Sequence, residues 1–424
     1  MQLLTLISLA AIALSSNAHP TRARRAASNL LTVPLRRSER DSGLHVDLLH
    51  QKQINRAERL MARAAGLPPP SEAQLRANLE RRASFIPDIS KRSNSNISTT
   101  AFDDGGHQYF MSLELGTPPV EFNIVLDSGS SDFWVASSQC TFNGGSCQNH
   151  TFFDSQKSSS FVDLKQNFSI TYGSGAASGG IVNDTLVLAG VQMKDFTFGI
   201  AHNISQEFAT DHNIDGLMGL AKAGVGIRNA PPPQIVMRNR GIIDQAIVSF
   251  RLPRFVDHNV GEVTFGGLDS TKFDPSTQVT INSTNSGFWI IPLDGASVNG
   301  KSVKIQSNTG FMDTGTTFLL MPEADAVAVH QQIPGAQHKN GQFTIPCDTK
   351  ATVSLTFGGK NFDINPSDLV SGAPKNKPSD GNCSSRIGVS AKSSTQWFVG
   401  DTFLQNVYFS TNIDENTVTL AKAI

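Results

Sequence analysis

The chain has 424 residues, 39% of them hydrophobic, with four cysteines and a formal net charge of −1. That near-neutral value hides a split: residues 19–92 carry 15 Lys plus Arg against 7 Asp plus Glu, about +8, and residues 93–424 carry 20 against 29, about −9. No apolar run after residue 18 is long enough to cross a bilayer, there is no Cys-x-x-Cys, and no histidines gather near the cysteines, so neither a membrane anchor nor a metal or other cofactor is expected.

In chain order, residues 1–18 hold an apolar run from Leu3 to Leu14 and end in Ser16-Asn17-Ala18, a small-x-small cleavage pattern, although no positive residue precedes the run. They read as a secretory signal peptide. At the other end, Val418 to Ile424 is too short and too interrupted to be the tail of a lipid-anchor signal, so a freely secreted, extracellular protein is expected. Residues 19–92 have no Cys and a Pro-Pro-Pro at Pro68 to Pro70. A basic tail that binds nucleic acid is the competing reading, but behind a signal peptide the segment reads as a propeptide, and no nucleic-acid partner is expected. Lys91-Arg92 offers a dibasic processing site.

From Tyr109 onward short apolar runs are punctuated by Gly, Ser, Asn and Pro, the pattern of an all-β protein. Tyr109 to Leu115 alternates, Gly116 to Pro119 turns, and Val120 to Leu126 continues as a strand. Helices are expected only at Glu323 to Gln332 and Pro233 to Asn239, both peripheral. The 332 residues after Arg92 suit two lobes, 93–270 and 271–424, with a boundary in the stretch from Phe255 to Lys272. The cysteines fit an oxidising compartment and allow three pairings. Sequons at Asn96, Asn149, Asn167, Asn183, Asn203, Asn282 and Asn382 agree with secretion.

One stretch is written twice: Leu126-Asp127-Ser128-Gly129-Ser130-Ser131 and, 186 positions later, Met312-Asp313-Thr314-Gly315-Thr316-Thr317. Each follows an apolar run, so each Asp is expected where a strand ends in a tight turn, its carboxylate facing a cleft. Singly, either triplet is ordinary turn chemistry. The pair carries more because the surroundings repeat in the same order. Ile214-Asp215-Gly216-Leu217-Met218-Gly219 ends 92 residues after Asp127, and Trp397-Phe398-Val399-Gly400 ends 87 residues after Asp313. A repeat of this length implies two similar lobes facing each other. The glycines let another backbone approach closely.

With both halves in view, the chain resembles the pepsin-like aspartic proteases, fungal secreted members in particular. The resemblance spans roughly Tyr109 to Ile424 and rests on FNIVLDSGSSDFWV, ITYGSG, IDGLMGLA, FMDTGTTFLL and WFVGDTFL, in family order. It implies an all-β, bilobal fold of two barrel-like lobes around a central cleft, working as a monomer on protein and peptide substrates. It implies Asp127 and Asp313 as the catalytic pair, Gly129 and Gly315 bringing backbone N–H groups close, and Ser130 and Thr316 bonding the outer carboxylate oxygens. Ile170 to Gly175 resembles the flap, a hairpin that closes over substrate. Tyr172 is then its tyrosine, followed by Gly173 and Ser174; Trp134 supports the tyrosine, and Phe208, Ile214 and Leu217 line the apolar pocket beside it. The resemblance also favours Cys140 paired with Cys147 and Cys347 with Cys383.

Two positions depart from commoner family residues. Ser128 stands where Thr is usual, although Asp-Ser-Gly also occurs among active members. Some fungal relatives have Asp at the position of Ser174 and accept Lys next to the cut bond; a neutral hydroxyl there implies poor cleavage after Lys. The apolar pocket implies a preference for bulky apolar residues on both sides of the bond.

Paired carboxylates at close range share one proton over a wide acid range. A water between them can then attack a peptide carbonyl with no covalent intermediate. A glycosidase also uses two carboxylates but has no need of the duplicated turns or the flap. A serine hydrolase needs a Ser-His-Asp constellation, and the ten histidines are scattered without a nucleophile elbow. The rival from another class is an inactive pepsin-like glycoprotein that binds peptides or inhibitors; such members usually lose a dyad Asp or a neighbouring Gly, and here both are intact. In family zymogens a basic prosegment lies across the cleft with a cation on the catalytic carboxylates. Residues 19–92 are therefore expected to act as an intramolecular inhibitor released in acid, the sequence leaving open which Lys or Arg reaches Asp127 and Asp313.

Overall fold

The computed structural model describes residues 30–39, 46–84, 107–142, 144–172, 175–223, 230–254, 261–339, 342–371, 381–390 and 395–424. The expected leader at 1–18, the Lys91-Arg92 pair, the Asn96 sequon and the Gly173-Ser174 turn lie outside them.

The basic segment is folded. Strand β1 (Leu31–Glu39) is followed by helix α1 (Val46–Ala64) and helix α2 (Glu72–Ala83). In α1 the apolar Leu49, Ala57 and Leu60 recur at helical spacing and are buried, which places one face of the helix against the rest of the chain. Asp47 in the first turn and Arg63 in the last suit the helix dipole. Ser71 caps α2 through a reciprocal pair with Gln74, just after the three prolines. These helices were not expected from the sequence.

Strands β2 (His107–Leu115) and β3 (Val120–Asp127) form the expected hairpin, with Leu115 opposite Val120 and Phe110 opposite Val125. Strand β4 (Phe133–Phe142) follows the first Asp turn. Among the described residues the largest sheet joins 14 strands and draws on both halves of the chain. β1 lies inside it, paired antiparallel with Gly261–Phe265 on one side and β2 on the other. The stretch expected to separate the lobes thus includes a strand of this shared sheet.

The duplicated sequence folds twice in the same way. β3 runs parallel to Gly216–Gly219, which also pairs antiparallel with β4. Thr309–Met312 runs parallel to Trp397–Val399, which pairs antiparallel with Leu319–Met321. Each Asp-bearing strand thus lies beside the apolar-apolar-Gly strand of its own half. Gly400 shows why that residue is Gly: a Cβ there would lie 2.1 Å from the carbonyl oxygen of Thr316 and 2.5 Å from that of Phe318.

The main apolar core runs through both halves, from Met111, Phe122 and Phe198 to Leu319, Phe357 and Phe409. A second cluster holds Trp134, Tyr172, Phe208, Ile214 and Leu217. In a third, Ala57 and Leu60 of α1 pack on Phe288, Ile290, Phe311, Phe318 and Leu320. The disulfides join Cys140 to Cys147 and Cys347 to Cys383, as the resemblance favoured. Asn149, Asn167, Asn203 and Asn282 are exposed, whereas Asn183 and Asn382 are half-buried.

Helices form at Pro233–Asn239 and Glu323–His330, near the expected places. The second is not peripheral. Its Asp325, 1% exposed, accepts from the backbone N–H groups of Gln306 (2.7 Å) and Ser307 (3.2 Å) and from the Trp397 indole N–H (2.8 Å), tying the helix to the strand beside Thr309–Met312. Asp325→Ala would strand two buried donors and a partly buried one and should cost about 2 kcal/mol or more, read as a lower urea midpoint; a change within about 0.5 kcal/mol would show that the tie carries little.

Candidate active site

Asp127 ends β3, and Asp313 follows Met312 directly; both side chains have no exposure. Their surroundings are nearly two-fold symmetric. The Gly129 N–H donates to Asp127 Oδ1 at 2.8 Å and the Gly315 N–H to Asp313 Oδ1 at 2.9 Å. Ser130 Oγ donates to Asp127 Oδ2 at 2.7 Å and Thr316 Oγ1 to Asp313 Oδ2 at 2.5 Å. Each glycine also makes room for the opposite carboxylate: a Cβ on Gly129 would lie 2.5 Å from Asp313 Oδ1, and one on Gly315 would lie 2.5 Å from Asp127 Oδ1. Any side chain at either position would force the two acids apart.

The two turns are cross-linked by residues whose part the sequence did not reveal. The Ser128 N–H donates to Thr314 Oγ1 and the Thr314 N–H to Ser128 Oγ, each at 3.0 Å. The same hydroxyls donate onward, Ser128 Oγ to the Met312 carbonyl and Thr314 Oγ1 to the Leu126 carbonyl. The available signal was a hydroxyl directly after Asp in both copies. Ser128, noted only as a departure from Thr, supplies the same donor and acceptor as its counterpart.

Between the carboxylates sits a guanidinium. Arg56 of α1, 3% exposed, donates through Nη2 to Asp127 Oδ1 (2.7 Å) and Asp313 Oδ1 (3.1 Å), and through Nε to Asp313 Oδ2 (3.0 Å). Burial pushes Asp313 up, but the charge and hydrogen bonds of Arg56 overcome it, so this carboxyl titrates below its ordinary value. At Asp127 burial prevails over Arg56, and the carboxyl is held above its ordinary value. Burial alone would lower Arg56, and the two acids raise it instead. Asp401, 2% exposed, is pushed well above its ordinary value by burial and then by the charge of Asp313, which favours its neutral form.

Tyr172 lies at the end of the hairpin formed by Val162–Thr171 and Ala176–Leu188. Its hydroxyl accepts from Trp134 Nε1 at 2.9 Å, and its ring meets Phe208 edge-on at 5.7 Å. Phe208 also meets Trp134 edge-on at 5.1 Å, and Ile214 and Leu217 are buried in the same cluster. The structure thus gathers Trp134, Tyr172, Phe208, Ile214 and Leu217 as one group. Two further arginines of α1 bond this hairpin: Arg59 Nη1 donates to the Tyr172 carbonyl (2.5 Å) and Arg63 Nη2 to the Thr171 carbonyl (2.9 Å). Arg56, Arg59 and Arg63 fall at i, i+3 and i+7, a basic stripe legible as helical spacing once the segment is taken as a helix.

A family model for eukaryotic aspartyl proteases matches residues 108–423. The chain belongs to the eukaryotic aspartyl protease family. The "Probable aspartic-type endopeptidase CTSD" of Arthroderma benhamiae is 32% identical over 328 residues, which covers 76% of this chain and 63% of that protein, a little under two thirds of its length. The "Major aspartyl peptidase 1" of Cryptococcus neoformans is 33% identical over 360 residues, 78% of this chain and 73% of that one. The "Probable vacuolar protease A" of Arthroderma benhamiae is 32% identical over 324 residues, 74% and 78% of the respective chains. The family match begins after the segment that carries Arg56, so that contact comes from outside the matched region.

The hydroxyl cross-link makes a stability prediction. Thr314→Val keeps the shape but removes the donor to Leu126 and the acceptor for the Ser128 N–H, and should cost about 2 kcal/mol in chemical denaturation. An unchanged midpoint would mean that the two turns are held in register by other contacts.

Proposed function

We propose that this chain is a secreted aspartic endopeptidase, made as a zymogen, which hydrolyses peptide bonds between bulky apolar residues in acid with Asp127 and Asp313 as its catalytic pair. One observation carries the reading: a guanidinium from the basic segment bridges two fully buried carboxylates, each already supplied with an N–H and a hydroxyl donor. Residues 19–92 are then the inhibitory prosegment, and 93–270 and 271–424 the two lobes. The chain works as a monomer without a cofactor, on protein and peptide substrates. Extracellular delivery is supported by the leader-like residues 1–18 and the sequons, and the vacuolar name of one relative sets the alternative destination.

The mechanism follows from the geometry. Once Arg56 has left, two carboxyls that share a small buried space keep one proton between them. A water bound by both gives a proton to the ionised carboxylate as its oxygen bonds to the peptide carbonyl carbon. The protonated carboxyl gives its proton to the carbonyl oxygen. The resulting tetrahedral diol collapses by breaking the C–N bond: the amine nitrogen takes a proton from the carboxyl that received it from water, and a diol hydroxyl returns its own to the other. The pair regains its starting state with no covalent intermediate. Tyr172, Gly173 and Ser174 close over the substrate, and Phe208, Ile214 and Leu217 with Trp134 give it an apolar bed.

Latency follows from the same contact. Because Arg56 lowers Asp313, its hold is at full strength above the ordinary carboxylate value and weakens as pH falls below it. Asp127→Asn and Asp313→Asn should each reduce peptide hydrolysis by about a thousandfold or more at every pH while leaving the circular dichroism spectrum unchanged. Residual cleavage near the unmodified rate, after removal of contaminating protease, would defeat the two-carboxylate mechanism.

Arg56→Met tests the latch separately. The precursor should then hydrolyse a peptide at a pH where the unmodified precursor is silent but its acid-processed form works. Equal latency of the two precursors would assign inhibition to some other contact.

A further inference from the structure

Helix α1 has a second buried polar anchor, one turn and a half before Arg56. His50 is 8% exposed, and its ring lies against Phe318 with centroids 5.3 Å apart. Its edge rests on the backbone of Gly388, where a Cβ would fall 1.8 Å from Nε2 and 2.2 Å from Cε1, so only glycine leaves room for the imidazole. Asp47, Phe318, Gln342, Phe343, Ser384 and Ser385 line the same small cavity. His50 Nε2 is buried with no hydrogen-bond partner among the described residues, so no acceptor is placed to receive a proton there.

The charged and titratable groups facing the ring come from three elements. Asp47 is on α1 itself, Arg82 comes from α2, and His330 comes from the Glu323–His330 helix. His330 is itself buried, its Nδ1 2.7 Å from the Ala326 carbonyl and its Nε2 2.9 Å from Ser385 Oγ, and it stacks on Phe343. A cation formed at His50 would therefore meet an apolar ring, a backbone that offers its nitrogen no acceptor, a second cation and a second titratable imidazole, with Asp47 as the opposing charge.

We propose that His50 is the acid trigger of the prosegment: protonation of its buried imidazole unseats helix α1 from the surface around Phe318 and Gly388, and with it Arg56 from the two carboxylates. The proposal rests on the reading of residues 19–92 as an inhibitory prosegment and adds the group that senses acid. Burial first, then Arg82 and His330, hold His50 down at about 4 against an ordinary 6.5. A base held below its free value favours the docked state above 6.5; docking weakens by about tenfold per pH unit as pH falls from there and levels off near 4. Arg56 cannot act this way, because a guanidinium keeps its proton throughout. Of the two carboxylates it holds, Asp313 responds only below the ordinary carboxylate range, so the trigger loosens the latch before that acceptor is lost.

The test compares the precursor with its His50→Phe variant, which keeps a flat ring and cannot titrate. Peptide hydrolysis is read within seconds of mixing at pH values from 7 to 4, each relative to the acid-processed enzyme at the same pH. Both precursors should be latent at pH 7, the unmodified one should gain activity between pH 6 and 5, and His50→Phe should require a pH about one unit lower. Coincident midpoints would overturn the trigger, as would a variant already active at pH 7, since His50 would then serve packing alone. If the variant does not fold, NMR of carbon-13-labelled histidine in the unmodified precursor decides: a His50 imidazole that protonates together with the onset of activity, between pH 6 and 5, supports the trigger, and one that titrates near 6.5 or stays neutral after activity has appeared overturns it. An unmodified precursor as active at pH 7 as its processed form would overturn the inhibitory reading itself, whereas a latent precursor with an unshifted variant would overturn the trigger alone.

Discussion

Two carboxylates buried with no exposure and placed close enough for one guanidinium to touch both are the constraint on which the rest of the structure depends. Charge in such a place is costly unless donors and a counter-charge surround it. The chain supplies the donors in duplicate, an amide and a hydroxyl per acid, and then locks the two turns together through Ser128 and Thr314. The glycines are the steric side of the same requirement, because any Cβ at 129 or 315 would occupy the place of the opposite carboxylate.

The segment preceding this machinery is held by three kinds of contact at once. β1 supplies backbone pairing between β2 and Gly261–Phe265; α1 buries Ala57 and Leu60 on the aromatic cluster of the second half; and Arg56, Arg59 and Arg63 supply directed charge-assisted bonds. The overall attraction between a basic segment and an acidic remainder brings the two together, but it does not choose a register. Helical spacing chooses it. With Leu60 and Ala57 fixed against Phe288 and Phe318, the face that carries Arg56 is turned to the carboxylates and to the hairpin that ends at Thr171 and Tyr172.

Much of this was legible in the sequence because the chemistry there leaves few alternatives. The duplicated Asp turns and the repeated apolar-apolar-Gly strands follow from residue types whose geometry is narrow, whereas the Trp134 to Tyr172 contact was implied by the family resemblance. The basic segment was read through its charge alone, and its helices were missed. Charge is an average over 15 cations, whereas the helix was written in the spacing of Leu49, Ala57 and Leu60 and in the Ser71 to Gln74 cap. Which arginine meets the acids depends on how that helix docks against residues more than 200 positions away, a long-range fact that local pattern does not contain. The shared role of Ser128 and Thr314 was hidden for a different reason. Each hydroxyl bonds the other turn, so its partner becomes visible only when the halves are brought together.

An arginine at position 56 also constrains how the proposed latch could open. Its planar fork places Nε and Nη2 on separate oxygens of Asp313 while Nη2 still reaches Asp127, a set of contacts that a single ammonium point could not reproduce in the same plane. The same cation never gives up its proton in the pH range of a protein, so the latch cannot open by loss of charge on the segment. Release must come from the acceptors or from the seat of the helix. Asp313 is stabilised in its charged form by the very contact that must break, which moves its response to lower pH. On the proposed reading the acid sensitivity lies elsewhere along the helix, and the one imidazole that α1 buries sits on the face packed against the second half, six residues from Arg56.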